Sequence, residues 1–397
     1  QNYVFLQTYL LKEMSFMKEK ESALYSHYII DGVFCEATPA ELLDECMEFP
    51  ELESADYPDF EDIVDESTEP PLGIVKYDPE KLQEYIKATV DATHNERSFS
   101  LLYPEHFTSL QIAKALLDRL WSEGHFRLCN LRLWAQWDWN TRPLGNLASF
   151  YKSCQTANEY IFGLGVRMTD YIFIEGDEGC SSRFYAWLPE DDLDEQHIED
   201  DIKAPYESRH PWIGEKRRCP STISPDPDSW LIYVPFDTCP YRLGGSLLSQ
   251  TCGKIGGQKT NIQDPDYFID CYEVVRELVE DGIVKAGITV ADGGLAVAAA
   301  KICGNYGVEL DLKGIAASYE ETDRMRILFG EVPGALIQIK DTDYDYVDSQ
   351  LLLQDIAYYP VGHPRTDITG ITIQESAKTS VSDILASLLG QTSEGED

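Results

Sequence analysis

Gly287-Ile288-Thr289-Val290-Ala291-Asp292-Gly293-Gly294-Leu295-Ala296-Val297-Ala298 is an apolar run that meets an aspartate and two glycines, then continues in small residues. The pattern reads as strand, tight turn and helix. A helix that follows such a turn offers free N–H groups to a phosphate, and Gly293 and Gly294 allow close backbone approach. Asp292 either holds a metal ion or caps the helix. Ile288, Thr289, Val290 and Ala291 supply little acid–base chemistry. A second glycine turn, Arg242-Leu243-Gly244-Gly245-Ser246, is either a phosphate nest or an ordinary turn.

Outward from these turns the chain alternates strands and helices. Trp230–Val234 and Ala335–Ile339 read as strands, as does Val308–Leu312, while Asp266–Asp281 and Gly294–Cys303 read as helices. Ile327–Phe329 ends a short helix. Upstream, Phe107–Trp121 places Leu110, Ala113, Leu116, Leu117 and Leu120 on one apolar side of a helix. Leu128–Trp139 alternates as a strand. Leu147–Phe162 is a helix stopped by Gly163 and Gly165, and Arg183–Leu188 is a strand. The mixture predicts an α+β fold (α/β mixed) with helices on one face of its sheets.

At 397 residues the chain has room for two domains and a large core. Its formal charge of -38 repels nucleic acid backbones and anionic membranes. It favours basic partners, or solubility alone. No apolar run approaches the roughly 20 residues that span a bilayer. The ten cysteines form no Cys-x-x-Cys pair and no zinc spacing. They read as reduced, mostly buried thiols of a cytosolic or nuclear protein. Gln1 in place of Met predicts a chain that begins inside a longer polypeptide.

Residues 1–35 read as the end of a preceding domain, with an amphipathic helix and a short strand at Tyr28–Ile30. Glu36–Glu69 holds fourteen acidic residues and no Lys or Arg. With its prolines it predicts an acidic linker over 36–71, either a tether or a segment that docks on a basic partner. Glu190–Asp201 holds eight more acidic residues within a long loop over 189–229. The globular part divides into 72–225 and 226–397.

The order of five segments carries a resemblance: Leu231-Ile232-Tyr233-Val234, Arg242–Ser246, Val279–Lys285, Ala291–Val297 and Ile327–Gly334. In that order they resemble the phosphoribosylformylglycinamidine synthase superfamily, ATP-dependent amidotransferases of purine synthesis. Asn95-Glu96-Arg97-Ser98 and Ala113-Lys114-Ala115-Leu116-Leu117-Asp118 extend the match upstream. The resemblance covers roughly 72–397, the second synthase-like half. It implies a two-domain unit like aminoimidazole ribotide synthetase, with an N-terminal-like and a C-terminal-like subdomain. It also implies nucleotide-binding positions at Gly244, Gly245, Ser246, Asp292, Gly293, Gly294 and Glu331.

The departures from the family pattern concern the chemistry. Family carboxylate and amide positions are Lys114 and Asp118 here. The family His-Asp-Val-Ser-Asp-Gly-Gly begins here as Ile288-Thr289-Val290-Ala291, and a family Glu becomes Lys301. A Gly-Lys-Asp-Ser turn expected after Val166 is missing; only Gly176-Asp177-Glu178-Gly179-Cys180-Ser181 lies nearby. A carboxylate-to-lysine change reverses charge where a cation would bind, and loss of the histidine removes a proton carrier. The expectation is a vestigial site with no catalytic residue, no metal and no cofactor. ATP and magnesium enter only if the chain is a working synthase fragment.

A degenerate synthase-like unit behind an acidic linker is also similar to the gammaherpesvirus major tegument proteins. Ala157–Thr169 and Ala40–Glu45 are similar to the tegument form. This likeness implies a virion tegument protein that acts in host cytoplasm and nucleus. It would bind or antagonise nuclear-body restriction factors, a histone chaperone among them. It implies no direct nucleic acid and no membrane insertion, and leaves self-association open.

Overall fold

Thr38-Pro39-Ala40-Glu41 opens the first α-helix among the described residues. The computed structural model describes residues 22–47, 75–95, 97–189, 217–254 and 257–374. A hairpin of β1 (Ile29–Ile30) and β2 (Val33–Phe34) precedes α1 (Pro39–Glu45). Thr38 Oγ1 accepts from the Glu41 amide at 3.3 Å, and Glu41 Oε2 accepts from the Thr38 amide at 2.7 Å. This reciprocal cap, with proline in the first turn, fixes where the helix begins.

These residues fall within the expected acidic linker, and here the structure differs. Leu43 is fully buried. Asn158 Nδ2 donates to the Leu42 carbonyl at 2.8 Å, and the Met168 amide donates to the Cys46 carbonyl at 2.9 Å. Local capping and a buried leucine make 39–47 part of the core rather than a tether. The rest of the expected linker lies outside the described residues, as does most of the helix expected within 1–30. The described part of that stretch is a single 3-10 turn at Ala23–Tyr25 and the hairpin.

Next come α2 (Leu82–Ala92), α3 (Pro104–Leu117), β3 (Arg132–Asn140), α4 (Leu144–Gly163), β4 (Arg167–Gly176) and β5 (Cys180–Trp187). β3 is central, parallel to β4 and antiparallel to β5. Leu133, Ala135, Trp137 and Trp139 alternate along it and are fully buried. Trp137 Nε1 donates to Ser153 Oγ on α4 at 3.0 Å. Phe99 packs edge-on to Trp139 and against Phe107 of α3. The strand expected from Leu128 starts later. Leu128–Asn130 is a 3-10 turn, closed by the Arg127 amide donating to Asn130 Oδ1 at 2.8 Å.

The remaining elements are β6 (Trp230–Pro235), α5 (Leu247–Thr251), α6 (Pro265–Glu280), β7 (Ala286–Val290), α7 (Gly294–Cys303), β8 (Gly307–Leu310), α8 (Lys313–Ser318), α9 (Arg324–Phe329), β9 (Gly334–Ile339), α10 (Tyr344–Leu353), β10 (Tyr359–Gly362), β11 (Pro364–Arg365) and β12 (Gly370–Ile373). An antiparallel sheet has the order β10-β6-β9-β7, and a small mixed sheet the order β11-β8-β12. All six residues of β9 are buried. The fold is mixed α+β with several small sheets, as the alternation of elements predicts.

Of the long loop expected over 189–229, residues 190–216 lie outside the described residues. The described end is pinned rather than loose. The Arg218 amide donates to the Trp121 carbonyl at 2.7 Å, the Gly287 amide to the Pro220 carbonyl at 2.9 Å, and the Ile223 amide to the Ile302 carbonyl at 2.9 Å. Core backbone groups that need partners recruit it.

Candidate functional site

The Asp-Gly-Gly turn, the second glycine turn and the stretch after α9 converge on one point. Gly294 explains how. It has φ 65°, and an added Cβ would stand 2.8 Å from the Gly330 carbonyl oxygen and 2.8 Å from that of Leu328. Only glycine lets the start of α7 approach the end of α9 so closely. That approach delivers Glu331 to the turn. Its Oε1 accepts from the Gly293 amide at 2.8 Å and from the Leu247 amide at 3.0 Å. An internal carboxylate thus takes one amide at each of the two turns, Gly293 and Leu247.

Gly245 plays the matching part in the second turn. A Cβ there would meet Tyr103 Cδ2 at 2.6 Å, and φ is 73°. Its carbonyl accepts from Arg97 Nη2 at 2.8 Å and from Gln250 Nε2 at 3.1 Å. The Gly244 amide donates to the Gln258 carbonyl at 2.8 Å. Ser246 caps α5, its Oγ accepting from the Ser249 amide at 3.3 Å. Of the two sequence readings, the ordinary turn describes this one.

Asp292 does not cap α7. The cap position is Gly293, in the left-handed region, with no side-chain hydrogen bond. Asp292 instead faces α3, where Gln111, Lys114 and Asp118 share a stripe at spacings of three and four. Lys114 Nζ lies 2.6 Å from Asp292 Oδ2, and Gln111 Nε2 donates to Oδ1 at 3.0 Å. Arg97 donates from Nη1 to the same Oδ1 at 2.6 Å. It also bridges to Glu331, Nη1 to Oε1 at 3.2 Å and Nη2 to Oε2 at 2.9 Å. His106 Nε2 is 3.4 Å from Glu331 Oε2. All four carboxylate oxygens therefore have partners.

The electrostatics follow from burial. The Glu331 side chain is fully buried, that of Arg97 8% exposed and that of Asp292 11%. Burial disfavours the charged carboxylates, but the neighbouring cations outweigh it. Lys114 and Arg97 hold Asp292 well below the ordinary carboxylate range. Arg97, helped by the hydrogen bond and charge of His106, lowers Glu331. Asp292 in turn raises Lys114. Two carboxylates face the always-charged Arg97 and a Lys114 held protonated by Asp292, so the cluster is near neutral. A divalent cation would have to displace a guanidinium and an ammonium from these oxygens. The donor set does not fit magnesium, nor a phosphate that needs the Gly293 amide.

The other family positions split. Thr289 on β7 donates to Asp118 Oδ1 at 2.6 Å and accepts from Trp121 Nε1 at 3.0 Å. This places Asp118 at the rim of the cluster rather than on Asp292. Ile288 packs against the core. Lys301, in the last turn of α7, forms no ion pair among the described residues; burial of its stem and the charge of Lys114 lower its pKa. Arg97, His106 and Gln111 were not singled out in the sequence. The available signal was charge balance: a buried pair of acids beside one lysine calls for a second cation, and Arg97 lies in the one upstream turn that the resemblance reaches.

Comparison with known proteins agrees with this geometry at the level of ancestry. No family model matches the chain. It is 27% identical over 293 residues to a probable phosphoribosylformylglycinamidine synthase, chloroplastic/mitochondrial, of Arabidopsis thaliana, covering 71% of this chain and 19% of the relative. It is 24% identical over 254 residues to phosphoribosylformylglycinamidine synthase of Homo sapiens, covering 62% of this chain and 17% of that protein. The chain is homologous to phosphoribosylformylglycinamidine synthases. It spans under a fifth of the length of these two relatives. Among solved structures, Thermotoga maritima PurL complexed with FGAR superposes with a TM-score of 0.51 at 11% identity, over 70% of this chain and 42% of that one. Phosphoribosylformylglycinamidine synthase II from T. maritima gives 0.50 at 13% identity, over 70% of this chain and 40% of that one. At these identities the structures establish the fold alone.

Proposed function

We propose that this chain is a unit derived from phosphoribosylformylglycinamidine synthase that works by binding rather than turnover, with its nucleotide site closed by its own side chains. The observation that carries the reading is Arg97, which spans Asp292 and Glu331 while Lys114 takes the remaining Asp292 oxygen. Removing both cations from buried carboxylates would cost several kcal/mol before any metal could bind. Magnesium-ATP is therefore expected to leave thermal unfolding unchanged. A ligand present at 100 times its Kd would add about 2.7 kcal/mol. A clear rise in Tm with magnesium-ATP overturns the closed-site reading.

Its finer form rests on the similarity to gammaherpesvirus tegument proteins. In that form the chain is a virion protein that engages host nuclear-body factors, a histone chaperone among them. The net charge of -38 supports a basic partner surface. Deleting residues 48–69, which leaves the docked helix α1 in place, is expected to weaken pulldown of such a partner. Equal recovery with and without the segment rejects it as the contact.

The homology favours a second reading, in which the chain is part of a working synthase whose catalytic site lies in another half of a longer protein. Under that reading ATP-dependent amidotransfer belongs to the whole protein, and ATP and magnesium bind elsewhere. Purified full-length protein assayed for glutamine-dependent formylglycinamidine formation separates the two readings.

A further inference from the structure

The hairpin of β1 and β2 carries uncovered apolar side chains. Tyr25, Ile29, Val33 and Phe34 are 59%, 72%, 68% and 58% exposed. Ile29 pairs with Phe34 across the hairpin, and Ile30 with Val33. Side chains alternate along a strand, so Ile29 and Phe34 share one face and Val33 lies on the other. The ring of His27, 5.6 Å from that of Phe34, extends the Ile29–Phe34 face. The exposure does not come from a loose chain. Asp31 and Gly32 close the turn with φ of 53° and 84°, the left-handed pair of a tight two-residue turn. At the base Tyr28 is buried, its Oη donates to the Ala23 carbonyl at 2.8 Å, and its ring lies 5.2 Å from that of Tyr151 on α4. Glu175 Oε1 on β4 accepts from the Ser22 hydroxyl at 3.0 Å and from the Ala23 amide at 2.8 Å. Clustered apolar side chains held out to solvent mark an interaction site.

Charge and chain position choose the occupant. Residues 22–47 contain the acids Asp31, Glu36, Glu41, Asp44 and Glu45 and no Lys or Arg. A second copy of the same surface would bring like charge against like. The residues just before Ser22 carry no such penalty. Lys12, Lys18 and Lys20 are the only Lys or Arg ahead of Lys76, and Glu13, Glu19 and Glu21 balance them. Tyr3, Leu6, Leu10, Met14 and Met17 recur at spacings of three and four, an apolar stripe on a helix. A helix over 3–17 would be about 22 Å long. The link from Met17 to Ser22 spans up to about 17 Å, enough to fold the helix back onto β1, which begins seven residues after Ser22. A short tether raises the effective concentration of such a contact to about the millimolar range. We propose that residues 3–17, which lie outside the described residues, form an amphipathic helix that docks its apolar stripe on the Ile29–Phe34 face of the hairpin.

The test is hydrogen exchange on the full chain. In the wild type the amides of residues 3–17 are expected to exchange at least about tenfold more slowly than in an unstructured peptide, independently of protein concentration. In Ile29→Ser/Phe34→Ser this protection falls to the unstructured rate while α4 keeps its own. In Leu6→Asp/Leu10→Asp, which leaves the hairpin intact, the uncovered face binds the apolar dye bis-ANS, and adding Ile29→Ser/Phe34→Ser removes that binding. Unstructured rates at 3–17 in the wild type overturn the proposal. So does protection unchanged in Ile29→Ser/Phe34→Ser, which seats the segment elsewhere. Protection that grows with protein concentration makes a second copy the occupant and overturns it too. If the hairpin variant unfolds the hairpin itself, the Leu6→Asp/Leu10→Asp variant decides alone, and no gain in dye binding there overturns the proposal.

Discussion

Arg97 is the residue on which the carboxylate cluster depends. Its planar fork reaches Asp292, Glu331 and the Gly245 carbonyl together, a geometry that lysine cannot reproduce. Arg97→Met would leave two buried carboxylates with one partly exposed cation, and the expected loss is about 3–5 kcal/mol in urea unfolding. Lys114→Met should cost much less, about 1 kcal/mol, because the Lys114 side chain is 40% exposed and water screens it. Equal losses in the two variants would contradict the assigned roles. The pH dependence has a definite sign. Asp292 and Glu331 have folded pKa values below their unfolded ones. Their contribution is present above the unfolded value near 4 and is lost as pH falls through the folded values. The stability gap between the wild type and Arg97→Met should therefore narrow on acidification below about pH 4. A gap that is constant across that range would mean that Arg97 acts through packing alone. At this scale the sequence picks Asp292 as the centre but leaves open whether it caps a helix or binds a metal. In the structure it caps no helix and instead pairs with Arg97, Gln111 and Lys114, and pairing across that distance is not visible in a local pattern.

At the scale of elements, the turn between β7 and α7 sets the geometry of the whole cluster. Gly294→Ala would place a Cβ against two carbonyl oxygens in a left-handed conformation. The expected cost is about 1–3 kcal/mol, with a displaced Glu331 visible as loss of hydrogen-exchange protection at the Gly293 and Leu247 amides. Wild-type protection in that variant would show that the turn tolerates a side chain. Elements with strong periodicity were legible: α4, α6 and α7 lie within three residues of their expected bounds. Weakly patterned ones were not. β4 is an edge strand with mixed exposure along its length, so its alternation is blurred. The helix expected to end at Trp121 closes as α3 at Leu117, and a 3-10 turn follows. That tightening brings the Trp121 indole onto Thr289.

At the scale of the molecule, the acidic composition misleads about the segment after Glu36. Charge and proline content read as a tether, yet α1 docks on α4 through Leu43. Leu43→Ala should cost about 2–5 kcal/mol, as for a leucine in a closed core. Guanidinium unfolding measures it, and a change under 0.5 kcal/mol would restore the tether reading for this stretch. The buried cluster around Leu43 and Cys46 is continuous with the core that reaches β6, β7 and β9. Part of the nominal linker therefore contributes to the same hydrophobic core as the synthase-like elements.

The sequence alone determined the alternation of strands and helices, the two glycine turns and the order of segments that marks ancestry. These follow from periodicity and from glycine, which act over a few neighbouring residues. The tertiary structure decided what the turns are for. It joined residues 97, 114, 292 and 331 into one near-neutral cluster and handed the Gly293 amide of the Asp-Gly-Gly turn to Glu331. Whether a buried carboxylate meets a metal ion or an arginine depends on contacts between distant parts of the chain, and burial then fixes how strongly the choice is held.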